Sequence, residues 1–137
     1  MSFVKVRAHD PRGEFWQGYE WSKWEALATA KAPQRQGIYR VLAGRERRLL
    51  YIGISGNLYR RLYTLRRGVI QGLKVAHPAV ACVRQHSSVI KVSWVVLEEH
   101  ETERRELFGI EAELIAAYRS TLHESPTCQW SGRTYDD

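Results

Sequence analysis

Apolar positions recur along this chain in two rhythms, one of strands and one of helices. The first is clearest where Gly37-Ile38-Tyr39 opens one apolar run and Tyr51-Ile52-Gly53 ends another. Between the runs lies Ala43-Gly44-Arg45-Glu46-Arg47, a segment with the glycine and charge of a turn, so the pattern predicts a β-hairpin. A turn centred on Arg45 sets Tyr39 opposite Tyr51. Cross-strand partners stand with Cβ atoms about 5 Å apart on one face, so two phenols would share a surface. A one-residue slip would part them. Val89 to Leu97 is rich in β-branched residues and tryptophan, which predicts a third, largely buried strand.

The helical rhythm appears four times. Ser22 is placed to cap a helix through Lys31 that carries Trp24, Leu27 and Ala28 at helical spacing and ends before Pro33. Ser55-Gly56-Asn57 supplies a turn and cap for a helix from Leu58 to about Arg67, with Leu58, Leu62 and Leu65 on one stripe and Gly68 closing it. A further helix is expected from His77-Pro78 to about Gln85, and a long one, capped near Thr102, from Glu103 to about Thr121. Ahead of these, Val4-Lys5-Val6 reads as a short strand and Glu14 to Gly18 as a loop. Phe15, Trp16, Tyr19, Trp21 and Trp24 read as a hydrophobic brace against the sheet in preference to a base-stacking platform. The expected order is β-β-α-α-β-α after an N-terminal helical lead.

The two triplets and their spacing resemble the signature of the GIY-YIG nucleases, a family of homing, restriction and excision-repair endonucleases. The resemblance covers residues 36 to 131, with 1 to 35 as an extension and 132 to 137 as a tail. It implies an α/β fold, a three-stranded antiparallel sheet flanked by helices, with Gly37 and Gly53 as supporting positions. The family keeps an arginine ten residues after the second tyrosine, and Arg61 stands there. The final helix is similar to the family's last stretch, in which Glu111 precedes an apolar pair by three residues. The chain departs from the pattern at Leu65, where many members have histidine or tyrosine, and at Ile54, where lysine is frequent. Near the C-terminus Pro126-Thr127-Cys128-Gln129 is offset from the family's proline and asparagine, with Gln129 as the substitute amide.

Helical geometry singles out the same two side chains. At about 100° per residue Arg61 lies roughly 70° from the centre of its apolar stripe, at the edge of the buried face, while Arg60 and Arg67 point away. Held there, its guanidinium can stabilise charge on a phosphoryl group in transfer. Glu111 shares its face with Leu107, Leu114, Ile115 and Tyr118, whereas Glu113 is turned outward. A carboxylate facing the core is costly unless it is paired or binds metal, so Glu111 either meets an arginine or anchors one hard divalent ion, Mg²⁺ or Mn²⁺.

At 137 residues the chain is expected to form one domain. A net charge of +6, carried mainly by arginine, points to an anionic partner, and Arg60, Arg66, Arg67 and Lys74 are candidates for backbone contacts with nucleic acid. Cys82 and Cys128 are too few for a disulfide framework, so a reduced, cytoplasmic setting is expected, with Cys82 as a small apolar core residue. No signal peptide or membrane span is evident. His77, Cys82 and His86 lack both the spacing and the fourth ligand of a zinc site, though His77 suits a proton shuttle.

These readings together predict a Mg²⁺-dependent endonuclease acting on double-stranded DNA with catalytic Tyr39, Tyr51, Arg61 and Glu111. One site cuts one strand, so a homodimer or a partner protein would complete double-strand cleavage or supply specificity. A non-catalytic nucleic-acid-binding module and an RNA-directed or toxin-type nuclease remain as alternatives.

Overall fold

The computed structural model describes residues 10–86 and 89–130; the strand expected at Val4 to Val6 and the tail from 132 lie outside them. The elements run β1 (Phe15–Trp16), β2 (Tyr19–Glu20), β3 (Glu25–Ala26), β4 (Gly37–Ala43), β5 (Arg48–Ser55), α1 (Leu58–Val69), α2 (Val80–Arg84), β6 (Ile90–Val96) and α3 (Glu106–Leu122). β1 and β2 form a small hairpin, and the main sheet is antiparallel in the order β3-β6-β4-β5. The class is therefore mixed α/β as expected, with four strands in the main sheet instead of three.

The extra strand corrects the helix expected from Ser22 to Lys31. Ser22 exchanges hydrogen bonds with Trp94, its N–H donating to the Trp94 carbonyl at 2.9 Å and its Oγ accepting the Trp94 N–H at 2.9 Å. The Leu27 N–H donates to Ile90 at 2.8 Å. The exposed edge of β6 needs partners, and this long-range pairing overrides local helix propensity. The loop expected at Glu14 to Gly18 is likewise the β1-β2 hairpin, turned through Gln17 and Gly18 at positive φ (54° and 82°).

The register of the central hairpin also differs from expectation. Tyr39 faces Gly53, and Val41 faces Tyr51. Beyond Val41 the register shifts, since Leu42 pairs with Leu49 and leaves Leu50 as the extra residue of a β-bulge. The difference from the expected pairing is two residues, so both phenols keep one face of the sheet and meet diagonally.

That face packs on α1 and α2 through Tyr39, Val41, Tyr51, Leu58, Leu62, Leu65 and Val83. The opposite face, with Ile38, Leu42, Leu49 and Ile52, packs on Leu114, Ile115 and Tyr118 of α3. The outer edge of β5 is covered by residues 127 to 129. The Thr127 and Cys128 N–H groups donate to Leu49 (3.2 Å) and Leu50 (2.7 Å), and the Gln129 amide makes two 2.8 Å hydrogen bonds with the backbone of Ile52. Cys82 and Cys128 form a disulfide that ties this cover to α2, which corrects the expectation of unbridged thiols; 46 residues separate them, and only the fold brings them together.

Helix ends follow local chemistry in part. The Asn57 side chain accepts the Arg60 N–H and caps α1 as expected, but Gly68 lies inside the helix and Ile70 ends it. A Cβ at Gly68 would stand 2.7 Å from Val75 and 2.8 Å from Val80, so glycine there admits the loop and α2. α2 begins after Ala79, later than expected, and α3 begins at Glu106 behind Arg105 with no side-chain cap.

Trp16, Tyr19, Trp21 and Trp24 form the expected brace, which closes on a charge, while Phe15 departs from expectation and is exposed. Arg40 is fully buried, its guanidinium 4.4 Å from the ring centroids of both Trp21 and Trp24. It donates to the carbonyls of Pro11 (2.6 Å) and Gly13 (2.8 Å) and to Ser93 Oγ (3.3 Å). Arg40→Ala is expected to destabilise the protein by about 3 kcal/mol, through the cavity and the stranded carbonyls, as read by urea unfolding. Arg40→Lys is expected to recover little of this, because an ammonium lacks the planar fork that fits between two indoles; full recovery would refute the stacked arrangement.

Candidate active site

The site is built where β4 and β5 present their tyrosines beneath α1. Tyr39 lies across Gly53, so close that a Cβ there would stand 2.5 Å from Tyr39 Cζ and 2.6 Å from its Oη. Only glycine lets the phenol cross the neighbouring strand. The rings of Tyr39 and Tyr51 are 6.1 Å apart, and the imidazole of His77 stands 5.1 Å from Tyr51.

Tyr39 Oη is the centre of a hydrogen-bond network. His77 Nε2 is 2.9 Å away and Arg61 Nε 3.3 Å away. His77 Nδ1 accepts the Ala79 N–H at 3.1 Å, which assigns the ring proton to Nε2 and makes His77 a donor to Tyr39. Tyr39 Oη thus accepts two hydrogen bonds. Burial first, then the neighbouring Tyr51, pushes its pKa above the usual phenol value, with the Arg61 charge opposing. Burial and then the Arg61 charge hold His77 down to about 3, so the ring is neutral near pH 7.

Arg61 is half-buried at the edge of the α1 stripe, where helical geometry put it. Burial disfavours its charge, but the phenolic oxygens of Tyr39 and then Tyr51 more than offset this, and its pKa is raised. Its Nη1 donates to the Ala76 carbonyl at 3.3 Å, so Arg61 joins α1 to the loop before α2.

From Arg61 the site opens into a cleft of about 350 Å³ lined by Ile54, Ser55, Gly56, Arg104, Leu107 and Phe108. The cleft continues past Asn57, Arg60 and Thr64 to Ala76. Arg60, Arg61 and Arg104 therefore converge on one groove. Glu111 is half-buried on α3, one helical turn beyond Leu107, and its charge reaches Tyr39. Glu113 is exposed as expected.

The remaining candidates fall elsewhere. Arg66 and Arg67 stand over the ring of Tyr63, at 5.0 and 5.6 Å, and Lys74 is exposed in the loop after α1. Gln129 is buried, with its amide engaged by Ile52 beneath the edge of β5. Arg104, whose guanidinium lies over Gly56, escaped sequence reading because Glu103-Arg104-Arg105-Glu106 looks like an ordinary solvated charge run. Phe108, 69% exposed at the rim, gave no signal either, since it falls off the apolar stripe.

One hard divalent ion suits this donor set. Glu111 carries a single half-buried carboxylate whose charge reaches Tyr39, and among the described residues no cluster of three acidic side chains forms a cage. Mg²⁺ binds in this manner, through one or two carboxylates, waters and substrate phosphate.

No protein-family model matches the chain, and a search of curated proteins finds no match. Among solved structures it is similar to the magnesium-bound GIY-YIG N-terminal endonuclease domain of UvrC from Thermotoga maritima, at 24% identity and a TM-score of 0.44, over 64% of this chain and 82% of that one. A tyrosine-to-phenylalanine mutant of the same domain, bound to its catalytic divalent cation, gives 25% identity and a TM-score of 0.43 over 64% and 81% of the two chains. Both of those structures are of GIY-YIG endonuclease domains.

Proposed function

We propose that the chain is a metal-dependent endonuclease that hydrolyses phosphodiester bonds of double-stranded DNA at a site of Tyr39, Tyr51, Arg61 and Glu111, with Arg61 facing the cleft. One observation carries the reading: the Arg61 guanidinium is locked to Tyr39 Oη at the mouth of a groove that Arg60 and Arg104 also line. Arg60 and Arg104 hold the DNA backbone, and Arg61 stabilises charge on the scissile phosphoryl oxygens.

Tyr39 acts as a pivot. Its oxygen accepts from His77 and Arg61, which leaves its own hydroxyl proton to be donated in a hydrogen bond to a phosphoryl oxygen. His77 sets that orientation, and its ring lone pair, on Nδ1, is taken by the Ala79 N–H. Tyr51, beside it, completes the aromatic wall. Water adds to phosphorus as the P–O3′ bond breaks, one water proton passing to solvent and O3′ taking one from solvent, which leaves a 5′-phosphate and a 3′-hydroxyl. Mg²⁺ or Mn²⁺ on Glu111 supplies Lewis-acid charge neutralisation when bound. One such site nicks one strand, so a homodimer would give double-strand breaks.

Supercoiled plasmid is expected to be nicked with Mg²⁺, left intact with EDTA, and left intact by Glu111→Ala; salt-sensitive binding without any cleavage, on DNA or RNA and across metals, would make the chain a binding module instead. Arg61→Lys is expected to lower single-turnover cleavage by roughly 10²–10³-fold. Arg104→Ala is expected instead to weaken DNA binding and reduce the salt dependence of affinity by about one charge, read by fluorescence anisotropy; an unchanged salt slope would remove Arg104 from the interface.

The buried neutral imidazole also predicts a pH dependence. The unfolded ring takes up a proton near pH 6.5, which the folded ring refuses until about 3. The unfolded state therefore binds more protons in this window, and His77 costs stability as pH falls, at up to about 1.4 kcal/mol per pH unit. Urea midpoints between pH 7.5 and 4.5 are expected to fall more steeply for wild type than for His77→Gln. Parallel slopes would show that the ring is not held neutral.

A further inference from the structure

A second cluster lies apart from the cleft. The sulfurs of Cys82 and Cys128 and a ring nitrogen of His86 all lie within 4.8 Å of one another. Cys82 is in α2 and His86 follows four residues later, just past its end, so both project to one side. Cys128 comes from the segment covering β5. His77, which the sequence groups with Cys82 and His86, is engaged by Tyr39 instead.

We propose that reduction of the Cys82–Cys128 disulfide converts this cluster into a binding site for one soft or borderline metal ion of the Zn²⁺ class. Two sulfurs and one imidazole select such an ion over Mg²⁺, which separates this site from Glu111 chemically. Cys82 and His86 are half-buried, so solvent can supply a fourth ligand, as in open Cys₂His zinc sites. Around a tetrahedral ion two sulfurs stand about 3.8 Å apart, a separation that the 5.6 Å Cα–Cα span accommodates. The reduction is balanced by an external thiol: two RSH give RSSR and two cysteine thiols, whose protons leave as the metal binds.

The metal would take over the mechanical role of the disulfide. Both link α2 to the segment whose Cys128 N–H and Gln129 amide hold Leu50 and Ile52, on either side of Tyr51. The open dithiol is the one state without that link.

The test is Co²⁺ titration of the full chain after phosphine reduction, in excess Mg²⁺ to occupy carboxylate sites. A 1:1 thiolate-to-cobalt charge-transfer band is expected, bleached by Zn²⁺ and absent from the oxidised protein. Cys128→Ser is expected to abolish the band. His86→Ala, which keeps both sulfurs and can be verified as folded in its disulfide form, is expected to weaken binding by about 10–100-fold. Zn²⁺ is also expected to raise the thermal midpoint of reduced wild type but not of reduced Cys128→Ser. Reduced wild type that shows no band, whether folded or unfolded, overturns the proposal, and so does a His86→Ala titration superimposable on wild type.

Discussion

The bulge at Leu50 is the constraint on which the rest of the molecule turns. An inserted residue puts Leu50 and Tyr51 on the same side of β5, both in the core beneath α1 and α2. Without it, strand alternation would send either the Leu49 end or the Tyr51 end of β5 to the wrong face. The bulge also offers the Leu50 carbonyl to Cys128, so the irregularity that aims Tyr51 recruits the segment protecting the sheet edge. Side-chain orientation and edge protection thus share one cause.

The site depends on polar groups removed from water, which makes its hydrogen bonds strong and their loss costly. Tyr39, His77 and Arg61 come from a strand, a loop and a helix, and each is fixed by the other two or by backbone. The guanidinium keeps its charge because the phenolic oxygens favour it, and the imidazole stays neutral because it is buried, with the nearby guanidinium adding to the effect. Proton positions in this cluster are properties of the group as a whole.

What could be read from the sequence is what local periodicity controls. The stripe of α1 put Arg61 at the core's edge, the stripe of α3 turned Glu111 inward and Glu113 outward, and Asn57 announced its helix. The errors sit where the deciding partner is distant in sequence. Ser22 looked like a helix cap because its hydroxyl is a good acceptor for a backbone N–H; it does accept one, but from Trp94 across the sheet. The bulge, the disulfide and the convergence of Arg104 on the cleft are likewise consequences of folding, with no signature in spacing. The two phenols shared a face as expected, since a register error of two residues preserves sidedness.

The clasp of Trp21 and Trp24 around Arg40 bears on the order in which the chain acquires structure. Residues 10 to 26 leave the ribosome before their docking surface exists, because Ser22 pairs with Trp94 of β6, 72 residues downstream, Glu25 pairs with Val92 of the same strand, and Arg40 reaches Ser93, 53 residues downstream. During synthesis several tryptophans are therefore exposed on a segment without a partner, a stretch suited to chaperone binding. This segment is made before the strand it docks on, and closure over a separation of this size slows folding relative to a helical bundle of similar length.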